Sequence, residues 1–123
     1  MSKQPLPLIG ATAPACEVAP IVREPLSPAA ATDLAATFKA LSDPVRLRLL
    51  SLVASRSGGE ACVCDLAAGF ELSQPTISHH LRVLREAGLL SSRRHGSWVY
   101  YRIEPHALAP LVQLLDIPAE AMR

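Results

Sequence analysis

A short helix, a turn, a second helix with a polar outer face and then a basic β-hairpin predict a mainly α fold with a hairpin wing, that is, a winged helix-turn-helix. The clearest element is "SQPTISHHLRVLREAGLL", where Ser73 is a good N-cap, Pro75 is tolerated in the first turn and Gly88 is a stop signal. Ile77, Leu81, Leu84 and Ala87 form one apolar stripe, and at about 100° per residue Gln74, Ser78, Arg82 and Arg85 fall opposite it. Next, "LLSSRRHGSWVYYRI" alternates around His95 and Gly96, with Val99, Tyr101 and Ile103 on one side and Trp98, Tyr100 and Arg102 on the other. Upstream, "CVCDLAAGF" has room for about two helical turns before Gly69 breaks it.

The remaining elements follow in order. Residues 1–28 hold six of the eleven prolines and no sustained periodicity, which predicts an extended arm carrying Cys16. From Ala29, the spacing of Leu34, Phe38 and Leu41 predicts a first helix ending near Ser42. Asp43 as N-cap with Pro44 at the first helical position launches a second helix, "PVRLRLLSLVAS", which Gly58 and Gly59 end. A last helix from about Pro105 to Leu115 presents Leu108, Leu111, Val112 and Leu115. One small domain has little left for that stripe to cover, so a homodimer seam is expected there. Residues 29–117 are therefore read as the DNA-binding and dimerisation domain, and 118–123 as a tail.

With 123 residues the chain suits one domain with a usable core. No apolar run approaches the roughly 18 to 20 residues of a membrane span. Pro5 and Pro7 interrupt a stretch too short for an export signal, and three cysteines do not make a secreted disulfide framework, so a cytoplasmic protein with reduced thiols is expected. Net charge is only +1, but between Ser73 and Ile103 five arginines face Glu86 alone. The positive charge is local, where a polyanion would be met.

These residue types suit double-stranded DNA. Gln74, Thr76, Ser78 and His79, near a helix N-terminus, can bond base edges in a major groove, while Arg82, Arg85, Arg93 and Arg94 neutralise backbone phosphate. His80 lies at the edge of the apolar stripe and reads as a packed, hydrogen-bonded histidine.

"FKALSDPVRLRLLSLV", "CVCDLA", "LSQPTISHHLRVLREAGLL" and "GSWVYYRI" occur in the order typical of the ArsR/SmtB family of metal-responsive repressors, which the chain resembles over roughly residues 34–115. The resemblance implies a homodimeric winged-helix repressor that leaves its operator when it binds a toxic metal or metalloid, with the helix after Ser73 in the major groove.

Cys62 and Cys64 are the candidate ligands. At i and i+2 in a helix two side chains point about 200° apart, so they converge only if the chain is extended at Cys62 and helical at or after Cys64. A helix N-terminus at Cys64 or Asp65 is expected to favour the thiolate. Thiolates select soft or thiophilic ions. Arsenite-responsive members of the family often carry a third cysteine three residues after the second; here that position is Ala67. Cys16 is expected to complete a trigonal site with Cys62 and Cys64, from either subunit, since a dozen arm residues can span up to about 40 Å. Three sulfurs suit As(III) or Sb(III) as inducer. Cadmium or lead, which seek a fourth ligand, and a redox switch through Cys16 are the alternatives, and with His106 as its only histidine the last helix lacks the paired histidines of the family's zinc-type site. An enzyme is not expected, because no phosphate-cradling loop and no nearby histidine or arginine accompany the cysteines.

Overall fold

The computed structural model describes residues 24–119, so Cys16, most of the expected arm and most of the expected tail lie outside the described residues. Among the described residues, five α-helices and a three-stranded sheet follow in the order α1 (Pro28–Leu41), α2 (Pro44–Ser55), β1 (Glu60–Cys62), α3 (Val63–Ala67), α4 (Gln74–Glu86), β2 (Leu90–His95), β3 (Trp98–Ile103) and α5 (Pro105–Leu115), with a short 3-10 turn at Ser57–Gly59 before β1. No helix among the described residues is long and apolar enough to cross a membrane.

Three helices start as local chemistry dictates. Ser27 caps α1 by accepting from the Ala30 N–H at 3.1 Å, and Pro28 takes the first helical position, one residue inside the expected arm. The Asp43 carboxylate accepts from Val45 and Arg46 N–H groups at 2.8 and 3.2 Å and so starts α2. Ser73 caps α4 through the Thr76 N–H at 3.3 Å. That helix ends in a Schellman turn: Gly88 lies at φ 85°, its N–H donates to the Arg85 carbonyl, and the Leu89 N–H donates to the Leu84 carbonyl at 3.1 Å. Leu84 and Leu89, which flank the turn, are both fully buried.

The core joins Leu49 and Val53 of α2, Leu66 of α3, and Ile77, Leu81 and Leu84 of α4 to Leu89, Leu90 and Tyr101 beneath the hairpin. Each fully buried leucine or isoleucine contributes about 1.5 to 3 kcal/mol relative to exposure. The stripe expected of α4 is thus the one that packs, with Ala87 only partly covered. The polar face is thereby held outward.

Strand β1 is an addition to the expected hairpin. It pairs antiparallel with β3, Cys62 opposite Tyr100, giving the order β1-β3-β2. Three residues carry no readable alternation, and the pairing partner lies some forty positions away. The chain enters β1 through Gly59 at φ 67°, where an added Cβ would stand 3.0 Å from Ile103 Cγ2. The hairpin alternation holds: Tyr101 is buried and Trp98 is 53 % exposed. Helix α3 is shorter than expected, a single five-residue turn.

Candidate nucleic-acid interface and thiol cleft

On α4, Gln74, Thr76, His79, Arg82 and Arg85 are exposed and Ser78 is half-buried. The Thr76 hydroxyl lies 2.9 Å from that of Ser73, so it takes part in the cap as well as facing out. His79 and His80 separate as their helical positions require. His79 faces solvent, whereas His80 Nδ1 stands 3.2 Å from an Arg46 guanidinium nitrogen, and Arg46 Nε in turn donates to the Ala40 carbonyl at 2.6 Å. Arginine can only donate, so Nδ1 of His80 is the acceptor in this contact. The turn before α4 is braced by Arg48, whose guanidinium lies 4.4 Å from the Phe70 ring centre.

The wing arginines differ from one another. Arg94 is exposed on β2. Arg93 instead forms a two-pronged ion pair with Glu60 of β1, at 2.7 and 2.9 Å. The pair reaches across β3, since Glu60 stands opposite Arg102 and Arg93 opposite Tyr100, on one face of the sheet. The Arg93 hydrogen bonds hold the Glu60 carboxyl below its usual range, and Glu60 in turn raises Arg93. An arginine expected to meet phosphate alone therefore already has a carboxylate partner, supplied by a strand that the sequence does not announce.

Cys62 and Cys64 border one cleft, although α3 starts at Val63, one residue earlier than the expected position at or after Cys64. Cys62 is extended (φ −76°, ψ 145°) and 6 % exposed, α3 begins at the next residue, and the Cys64 N–H donates to Cys62 Sγ at 3.4 Å. Cys62 is thus the N-cap of α3, and Cys64 is exposed within its first turn. The expected thiolate at Cys64 is not favoured. Its pKa is raised, first by the hydrogen bond to the Cys62 side chain, then by burial and by the negative charge of Cys62 and Asp65. In a helix of one turn, those two neighbours outweigh the backbone contribution. Among the described residues no three His, Cys, Asp or Glu side chains gather as a metal group; the two thiols stand as a pair.

Both thiols open on a cleft of about 280 Å³ that also touches Gln74 and Ser78 of α4 and Trp98 and Val99 of the wing. Neither Trp98 nor Val99 was singled out in the sequence for this role. Their alternation placed them on opposite hairpin faces, and only the seating of the hairpin tip beside α3 brings both to one cleft. A second, larger groove of about 750 Å³ runs between α1 and α5, with Leu26, Leu34, Pro110, Leu111 and Ile117 in its walls.

The sequence profile described as "Bacterial regulatory protein, arsR family" matches residues 43–92, from the α2 cap into β2. A solution structure of a homodimeric winged helix-turn-helix DNA-binding domain from Mycobacterium bovis, described as a possible ArsR-family transcriptional regulator, aligns with a TM-score of 0.60 at 31 % identity, covering 80 % of this chain and 91 % of that one. The chain belongs to the arsR family. An arsenic resistance transcriptional regulator of Pseudomonas putida is 56 % identical over 68 residues, 55 % of this chain and 52 % of that protein. The arsenical resistance operon repressor of Escherichia coli is 47 % identical over 79 residues, 64 % and 66 % of the two chains. A homolog of the cadmium resistance regulatory protein from Staphylococcus aureus is 41 % identical over 81 residues, 66 % and 65 %. The match thus spans about half the length of the Pseudomonas protein and about two thirds of the other two. As an arsR-family member with this fold, the chain is a winged-helix regulatory protein, and its family is one of regulators.

Proposed function

We propose that this arsR-family protein is a cytoplasmic transcriptional repressor that binds operator DNA as a homodimer and is released when As(III) or Sb(III) is captured by Cys62 and Cys64. The observation that carries this reading is the shared cleft: both thiols border the same space as Gln74 and Ser78 of the reading helix. Two cysteines on one cleft suit a soft, thiophilic centre. Cys16, on the arm of residues 1–28, is the third ligand in this reading, from either subunit.

On DNA, Gln74, Thr76, Ser78 and His79 read base edges while Arg82, Arg85 and Arg94 contact phosphate, with Arg93 shared between phosphate and Glu60. When Cys62 and Cys64 close on one centre, they pull the only turn of α3, which packs against α4 through Leu66. The cleft also lies against Gln74 and Ser78, so its occupant and the operator compete for one end of α4. Release requires that the ligand favour the DNA-free arrangement, since equal affinity for both shifts nothing. Residues 29–117 form the binding and dimerisation unit, with the α1–α5 groove and the exposed Val112 and Leu115 as the seam between copies.

Fluorescence anisotropy on operator-containing DNA, titrated with arsenite, antimonite, cadmium, lead and zinc, tests the reading. Release by the trivalent ions is expected in the wild type, with loss of that response in Cys64→Ser. Intact arsenite-driven release in Cys64→Ser would overturn the site. Release by cadmium or lead in preference to arsenite would move the protein to the cadmium-type reading, and release by peroxide without metal to the redox one.

A further inference from the structure

The end of the reading helix and the start of the last helix meet on one residue. The Leu89 N–H donates to the Leu84 carbonyl at 3.1 Å, closing α4, and the Leu89 carbonyl accepts from the Glu104 N–H at 3.0 Å, where α5 begins. A side-chain bond runs beside it: Ser91 Oγ, at the base of β2, donates to Glu104 Oε2 at 2.6 Å, the length of a charge-assisted hydrogen bond. Glu104 is the N-cap of α5, yet its carboxylate makes no capping bond to that helix, the usual task of a side chain in this place. It is turned to the wing instead. The other oxygen stands 3.6 Å from His106 Nδ1 in the first turn of α5, so the carboxylate spans the joint. The helix buries only Leu111, with Leu108 packed against the core, so its direction depends on how its first residues are held.

Val112 and Leu115 of α5 are 63 % and 66 % exposed, and in the homodimeric reading above, on which this rests, they belong to the seam between copies. The copies then meet on α5 while each reads DNA with α4, and the angle between those two helices decides how far apart the two reading helices stand. We propose that Glu104 is a positioning residue: by gripping Ser91 it fixes α5 against α4 and the wing, and so sets the spacing of the two half-sites that the dimer accepts. Half-site spacing follows from dimer geometry. Glu104 touches no base in this role. It governs which spacing is accepted, while the exposed side chains of α4 govern which bases are read.

The test is selection by the full chain from DNA duplexes carrying a randomised tract, with half-site sequence and spacing read by sequencing. The wild type is expected to select paired half-sites at one spacing. Glu104→Ala and Ser91→Ala are expected to select the same half-site sequence at spacings spread by about one base pair or more, whereas Glu104→Gln, which keeps an acceptor oxygen, holds the wild-type spacing. One added base pair moves a half-site by about 3.4 Å and turns it by about 35°. On a duplex so lengthened, wild-type affinity is expected to fall about tenfold or more, and that of the two alanine variants about threefold or less. Ser91→Ala removes a single half-buried hydroxyl, so it decides the matter even if Glu104→Ala does not fold. One unchanged spacing in the alanine variants, or a change in the half-site sequence itself, would overturn the proposal while leaving the homodimer on its operator standing. Selection of unpaired half-sites by the wild type would instead remove the reading on which it rests.

Discussion

Glu60 holds the Arg93 guanidinium by two hydrogen bonds, 2.7 and 2.9 Å long, across the central strand of the wing. The strand that ends in Cys62 is thereby tied to the strand that carries the wing's positive charge. An exposed ion pair adds little to stability. Its effect falls on where a charge is available.

Glu60→Gln therefore changes DNA binding in a specific way. With its partner neutralised, Arg93 is free to meet phosphate, and a plot of log affinity against log salt steepens by about one unit. In the wild type, Arg93→Ala flattens that slope by well under one unit, because Arg93 is shared with Glu60, whereas Arg94→Ala flattens it by about one unit. A full unit lost on Arg93→Ala in the wild type would show that Glu60 yields Arg93 to DNA without cost.

The adjacent histidines divide into two roles. His79→Ala is expected to weaken operator binding by about 1 to 3 kcal/mol, the range of a good base contact, with the denaturation midpoint unchanged. His80→Ala removes the acceptor for Arg46 and is expected to lower stability by about 1 to 2 kcal/mol in urea unfolding, with the DNA salt slope preserved. Reversal of the two phenotypes would invert the assignment.

Asp43 links the second helix to pH. The Arg46 N–H bond is the main cause that lowers its pKa, with Val45 and the charge of Arg46 adding to it. A folded pKa below the unfolded value of about 3.9 means that its contribution is present above that value and is lost as pH falls through the folded pKa. Asp43→Ala is expected to cost about 1 kcal/mol at pH 7 and progressively less below pH 4. A constant difference between pH 7 and pH 3 in urea unfolding would contradict this account.

Much of the architecture was written in short-range patterns. The α4 stripe of Ile77, Leu81 and Leu84 packs as its helical spacing requires, the caps at Asp43 and Ser73 form, and Gly88 ends α4 with a positive φ. Helical periodicity and capping depend on residues within one or two turns, so a linear sequence displays them. The extended conformation of Cys62 was legible for the same reason, whereas α3 starts at Val63, one residue before the expected place.

Local pattern alone carried the order of elements and the outward polar face of α4. Long-range pairing was needed to make "EAC" a strand beside β3, to bring Glu60 to Arg93, and to set Trp98 and Val99 with both cysteines around one cleft. The fold also reversed the expectation for Cys64, whose thiol is raised by Cys62 and Asp65 despite its place at a helix start. The physical reason is common to all of these. A three-residue strand has no periodicity of its own, and an ion pair, a cleft wall or a pKa is set by whichever groups distant pairing brings within a few ångströms.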